Sequence, residues 1–175
     1  MSPVGASLRW LFAGLLASVL GASLSCADET HDEQVQALGP EQPGVPRGPM
    51  HRPGQPCLTC HGGSGPASLQ MSVGGTVYDT QGQTTPSVNA TVQIEDVDGH
   101  IWNARTNAVG NFFVSLEDFA PHYPTQPNVA PSDGAIPQQM TTHISRDGSC
   151  ADCHANPPGP NSAGPVYAHH APSGG

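Results

Sequence analysis

The chain has 175 residues, including 21 glycines and 19 prolines, and a formal net charge of −9 at pH 7. Its five basic residues are all arginines, so the sequence offers no basic patch, and we exclude nucleic acid as a partner. With only 5% aromatic residues the chain would build a thin core unaided, and we expect a bound group or crosslinks to contribute to the fold.

The first 27 residues are typical of an export signal. Arg9 is their only charged residue, and the uncharged run 10–25 is shorter than the roughly 20 apolar residues that span a bilayer. A retained N-terminal anchor is the alternative. Two processed ends compete, a lipid-modified Cys26 and cleavage after Ala27. We therefore expect an exported protein in the periplasm, at the outer membrane through a lipid anchor on Cys26, or at the cell surface.

The mature chain divides by composition into six segments. An acidic, proline-rich tether is predicted for residues 28–50, and the first cysteine unit lies in residues 51–68. A β-module is predicted for residues 69–120. A proline-rich connection (121–139), the second cysteine segment (140–158) and a flexible tail (159–175) follow.

Four short strands are predicted in the β-module. They are "MSVGGTVYD", "NATVQIED", "IWNART" and "FFVSL", and in the second of them Ala90, Val92 and Ile94 share one face. Asp98-Gly99 is a strong hairpin signal between the second and third. The spacing indicates a mainly β fold, a small antiparallel β-sandwich flanked by loop-rich segments with little helix.

An acidic cluster lies beside this hairpin. Glu95, Asp96 and Asp98 are residue types that supply oxygen ligands to calcium. The turn chemistry of Asp98-Gly99 already explains two of these positions, and we favour the turn.

Residues 73–116 resemble the carboxypeptidase regulatory-like, transthyretin-like β-sandwich modules. The shared pattern is "GGTVYDTQGQ", then "NATVQIEDVDGH", then "TNAVGNFFV". It covers about a quarter of the chain and consists of strands and turns. The resemblance therefore implies a scaffold that binds or spaces, without catalysis.

Two Cys-x-x-Cys-His units account for every cysteine after the signal region. The first is "CLTCH" at residues 57–61 and the second is "CADCH" at residues 150–154. This five-residue unit is typical of c-type haem attachment, in which both thiols form thioethers and the histidine binds the iron. A four-thiolate zinc site and two short disulfides are the alternatives, and neither gives the histidines a role.

The two units resemble the haem sites of multihaem c-type cytochromes. The resemblance implies two covalently attached haem c groups, each with one iron. Cys57 and Cys60 would carry the first, and Cys150 and Cys153 the second. His61 and His154 would be the proximal iron ligands.

Each iron needs a sixth ligand or an open position. His51 lies six residues before Cys57, and His143 lies seven before Cys150, so these two histidines are the predicted distal ligands. Competing ligands remain, and they are Met50, Met140, His169 and His170. Spacing alone does not decide which haem each histidine serves.

The sequence therefore predicts an electron-transfer protein rather than an enzyme. We expect a dihaem cytochrome that carries electrons between redox partner proteins. If one haem lay at each end of the subunit, self-association would stack subunits into an extracellular conductive assembly. The alternatives are a dihaem peroxidase-like oxidoreductase and a β-sandwich surface-binding module with a redox-sensing role.

Overall fold

The computed structural model describes residues 29–41, 43–45 and 47–170. The predicted export signal, with Cys26, lies outside the described residues. Within them the elements in chain order are α1 (Glu29–Ala37), α2 (Leu58–His61), β1 (Met71–Thr80), β2 (Thr91–Glu95), β3 (Ile101–Arg105), β4 (Asn111–Ser115), β5 (Gln126–Ala130), β6 (Gln138–Gln139), α3 (Cys150–Cys153) and β7 (Val166–His169). The predicted mainly β fold with little helix is confirmed.

The strands form two sheets that enclose the core. One has the order β4-β1-β7 and the other the order β3-β2-β5-β6. All neighbours are antiparallel except β1 and β7, which are parallel, with Val77 opposite Val166. Side chains from both sheets meet in one apolar cluster, formed by Val73, Val77, Ala90, Val92, Ile94, Ala104, Phe112, Val114, Val129 and Ala168. The arrangement is a small β-sandwich.

The four predicted strands correspond to β1, β2, β3 and β4. Ala90, Val92 and Ile94 are each at most 2% exposed, which confirms the predicted apolar face of the second strand. Alternation buries this face because successive side chains of a strand point to opposite sides of the sheet. At the core's margin, Trp102 stacks on Phe119 with ring centroids 5.9 Å apart.

The predicted hairpin joins β2 to β3, and the Asp96 carboxylate organises its turn. One oxygen accepts the backbone N–H groups of Asp98 at 3.0 Å and His100 at 2.9 Å. The other lies 3.1 Å from Nδ1 of His100 and accepts the backbone N–H of His122 at 3.3 Å. Because the turn already uses both oxygens, the structure favours the turn over calcium for this cluster.

Strands extend beyond the predicted β-module. β5 and β6 lie in residues 121–139, where a proline-rich connection is predicted, and β7 lies in the predicted tail. Pro127 makes β5 hard to predict, because proline has no backbone N–H to donate. It pairs with Ile94 of β2, and its carbonyl accepts the N–H of Met140 at 3.1 Å. The predicted tether contains α1, none of whose residues is buried.

None of the helices in the described part of the chain is long and apolar enough to cross a membrane.

We expect Asp96 to make stability depend on pH below 4. Burial raises the pKa of Asp96, but the hydrogen bonds from His100, His122 and Asp98 outweigh it and lower the pKa from 3.8 to about 2. Because the folded pKa is the lower one, this stabilisation is present above about pH 4 and is lost as the pH falls through 2.

Thermal unfolding of the wild type and Asp96→Asn at pH 7, 4 and 2 tests this. The melting temperatures should differ clearly at pH 7 and converge at pH 2. Asp118→Asn, a change at an exposed carboxylate, is the matched control and should follow the wild type throughout. A gap between the wild type and Asp96→Asn that is constant with pH would contradict the role of the charge.

Candidate functional site

Each Cys-x-x-Cys-His unit forms a single turn of helix. The N–H of His61 donates to the carbonyl of Cys57 at 3.0 Å, and that of His154 donates to the carbonyl of Cys150 at 2.8 Å. Residues three and four apart lie on one side of a helix, so each turn gathers its two thiols and its imidazole on one face. The local fold thus makes each five-residue unit one chemical group.

Both units pack on β1, at two adjacent glycines. A Cβ added at Gly74 would lie 3.1 Å from Cβ of Cys57 and 3.3 Å from its sulfur. A Cβ added at Gly75 would lie 2.7 Å from Cβ of Cys150 and 3.1 Å from its sulfur. Because neighbouring residues of a strand face opposite ways, the two cysteines lie on opposite faces of β1.

The first unit covers the outer face of β1. There the N–H of Gly54 donates to Oγ1 of Thr76 at 2.8 Å, and that hydroxyl donates to Oδ1 of Asn111 at 2.7 Å. The Asn111 amide in turn donates to the carbonyl of His51 at 2.9 Å. On the inner face, Cys150 packs against the apolar core. This double cover explains why eight consecutive residues of β1, 71–78, are buried.

The two units are therefore neighbours despite their separation in sequence. The N–H of Asn156, just after the second unit, donates to the carbonyl of Gly54 at 3.2 Å, and the N–H of Gly74 donates to the carbonyl of Gly148 at 3.0 Å. Each sulfur lies close to the Cβ position of its glycine, and the Cα atoms of these two adjacent glycines are about 3.8 Å apart. Together these distances place the sulfurs of Cys57 and Cys150 at most roughly 13 Å apart. The units do not lie at opposite ends of the subunit.

Beside the first unit, the imidazoles of His51 and His61 lie close together at a steep angle. The ring centroids of His51 and His61 lie 5.9 Å apart, with the planes at 69°. Two imidazoles on opposite sides of one metal ion have centroids roughly 6 Å apart, because each metal–nitrogen bond is about 2 Å and each centroid lies about 1 Å behind its nitrogen. The structure thus brings His51 beside His61, at the separation that two imidazole ligands of one metal ion would have.

Three of the predicted iron ligands share one hydrogen-bonding pattern. Nδ1 of His61 donates to the carbonyl of Leu69 at 2.8 Å, and Nδ1 of His154 donates to that of Gly164 at 2.8 Å. Nδ1 of His51 lies 3.1 Å from a carboxylate oxygen of Glu41.

These oxygens only accept, so each Nδ1 carries a proton, and in the neutral imidazole the lone pair is on Nε2. Within the described residues no hydrogen bond occupies these Nε2 atoms. Protein histidines that bind metals are held in this way.

The second unit opens onto a cavity of about 620 Å³. Cys150, Cys153 and His154 line it, together with His143 and the core residue Phe112. Its volume lies in the range of roughly 300–1,000 Å³ that is typical of pockets for small molecules and cofactors.

Another lining residue is Ser149, whose buried hydroxyl lies beside the carboxylate of Asp152.

The predicted distal ligands of the two units, His51 and His143, have different surroundings. His143 lines the cavity but is exposed, and among the described residues its ring is not in contact with that of His154. Met140 and His170 line the same cavity, so they stay competitors. His169 is a poor competitor because its Nδ1 lies 3.2 Å from the carbonyl of Asp79 and its Nε2 lies 3.2 Å from the Asp133 carboxylate. Met50 is 47% exposed.

The cysteine geometry does not match the alternative chemistries. Cys57, Cys60, Cys150 and Cys153 are free thiols. In the part of the chain that the structure describes, they join no cluster of metal-ligand atoms; the one such cluster is formed by Asp96, Asp98 and His122. Burial raises the pKa of Cys57 to about 11 and that of Cys150 to about 12. Because the four sulfurs do not gather in one cluster, the geometry argues against a four-thiolate zinc site.

Sequence reasoning missed the residues that position the units. Gly74-Gly75 carried a signal, because paired glycines inside a strand indicate a close approach of other backbone or side chains. Ser149 and the carbonyls of Leu69 and Gly164 carried none, since any residue provides a carbonyl. In the sequence, Glu41 is one of several acidic residues in the predicted tether, and nothing distinguishes it from the others.

Comparison with protein-family models, with curated proteins and with solved structures finds no match. The function of the protein therefore has to be inferred from its residues and their geometry.

Gly75→Ala should displace the second unit from β1. Its new methyl group would meet the Cβ of Cys150, which is fixed to the backbone, and such overpacking destabilises a protein by about 1–3 kcal/mol. The free energy of unfolding in urea measures this.

Gly159→Ala is the matched control, because no atom lies within 4 Å of the position of its Cβ. Its effect should stay within about 1 kcal/mol. Equal effects of the two substitutions would show that the contact between Gly75 and Cys150 is not tight.

Proposed function

We propose that this protein is an exported dihaem c-type cytochrome that carries electrons between redox partner proteins. The observation that carries the proposal is the pair His51 and His61. Their centroid separation of 5.9 Å and their bound Nδ1 atoms suit two axial ligands of one iron, next to two thiols at thioether spacing. The export part of the proposal depends on the N-terminal sequence alone.

The residues present fit two covalently attached haem c groups. Cys57 and Cys60 would hold the first by thioethers, with His61 and His51 on the two sides of its iron. Cys150 and Cys153 would hold the second, with His154 as one axial ligand and His143, from the cavity lining, as the other. When bound, haem iron supplies reversible one-electron chemistry.

The chain's own residues keep the two sites close and their ligands fixed. The glycine pair in β1 sets the separation between the units, and the carbonyls of Leu69 and Gly164 orient two of the imidazoles. Fixed ligands reduce reorganisation when an electron arrives. The net charge of −9 favours association with basic redox partners, at rates that fall with added salt.

Electron transfer is better supported than the alternatives. A peroxidase-like enzyme needs an open position on an iron, whereas His51 and His61 would be ligands of the first iron and His154 and His143 of the second. We therefore propose an electron carrier rather than a catalyst.

The intact mass and the visible spectrum of the protein test this proposal. Produced in a host that attaches haem c, the wild type should exceed the mass of its processed polypeptide by two haem groups. It should show low-spin α-bands on reduction. A colourless product, or one whose mass equals that of the polypeptide, would overturn the proposal.

Carbon monoxide binding tests the ligand role of His51. His51→Ala should open one iron position, so that the reduced protein binds one more carbon monoxide per chain than the wild type does. His100→Ala, a change in the β2–β3 turn, should bind the same amount as the wild type. Equal binding by His51→Ala and the wild type would show that His51 is not an axial ligand.

A further inference from the structure

The predicted distal ligand of the first unit, His51, has a carboxylate partner in Glu41. Nδ1 of His51 lies 3.1 Å from Oε1 of Glu41, and the two side chains are only 27% and 31% exposed. The corresponding Nδ1 atoms of His61 and His154 face neutral backbone carbonyls. Of these three hydrogen-bonded imidazoles, the one of His51 therefore has an anionic partner.

Glu41 is itself held in place. Nε of Arg52 lies 3.4 Å from the same carboxylate oxygen. The Arg52 guanidinium also donates to the carbonyls of Leu38 at 3.1 Å and Gly39 at 2.6 Å, and to Oε1 of Gln55 at 2.8 Å. These contacts tie the loop before the first unit to the end of α1, so the carboxylate stands at a fixed position beside His51.

The backbone at Arg52 supports a built arrangement. Arg52 has a φ of 50°, in the left-handed region that residues other than glycine rarely adopt. Such strain persists where surrounding contacts determine the conformation, and it is concentrated at functional sites. Arg52 directly follows His51 in the chain, and its guanidinium contacts the carboxylate of Glu41.

We propose that Glu41 is a positioning residue that lowers the reduction potential of the first haem. The proposal rests on the dihaem function proposed above. An ionised carboxylate that accepts the Nδ1 proton makes the imidazole a stronger electron donor through Nε2. A stronger donor, with a negative charge close by, favours the oxidised iron. Arg52 offsets part of the charge but not the hydrogen bond.

Redox titration of Glu41→Gln in the intact dihaem protein tests the inference. The amide keeps the size of the side chain and removes its charge. One of the two midpoint potentials should rise, while the other stays within error. The low-spin electron paramagnetic resonance signal of one haem should shift with it, since a weaker donor changes the iron's ligand field.

Glu33→Gln in α1 is the matched control. It removes the same charge from an exposed residue, so it reports the general effect of one lost negative charge. A thermal melt of the haem-loaded variants shows that both are folded. Glu41→Asp, which keeps the carboxylate, should leave the affected potential nearer to that of the wild type than Glu41→Gln does.

The outcomes separate this inference from the function it rests on. A wild type without haem overturns the proposed function before any variant is made. A dihaem wild type whose potentials respond equally to Glu41→Gln and Glu33→Gln overturns the role of Glu41 alone.

Discussion

The close approach of two cysteine units to adjacent glycines of one strand is the constraint on which the rest of the site depends. Gly74 and Gly75 lack Cβ atoms, and in their place lie Cys57 on one face of β1 and Cys150 on the other. Interiors are packed so densely that a single methyl group at either position has to displace something. The sandwich therefore serves as the part of the structure that sets the separation between two chemically active segments.

Hydrogen bonding fixes the state of the histidines before any metal is considered. An acceptor at Nδ1 decides the tautomer, and the tautomer decides which nitrogen carries a lone pair. The first unit and the second unit reach this state through carbonyls that follow them by eight and ten residues, Leu69 and Gly164. Both units thus contain a short loop that returns to its own histidine, which is a structural repeat finer than the Cys-x-x-Cys-His pattern itself.

The sequence predicts the parts of the fold that depend on local patterns. Alternation along residues 90–94 predicts the buried face of β2, and Asp98-Gly99 predicts the hairpin. It does not predict β5, β6 or β7. β6 has two residues, and β7 joins its sheet only through parallel pairing with a strand some ninety residues away. Glycine- and proline-rich composition hides such strands, because their stability comes from partners rather than from propensity.

Local patterns likewise predict the site only in part. The cysteines and their histidines follow from spacing, and His51 follows from its position before the first unit. Glu41 does not, because its proximity to His51 depends on Arg52, which follows His51 with a positive φ and contacts the Glu41 carboxylate. Two units that are nearly equivalent in sequence thus acquire different surroundings: the first covers the outer face of β1 beside a carboxylate, and the second faces the core and a cavity. Because burial and hydrogen bonding both tune a metal's potential, a sequence repeat here does not imply two equal sites.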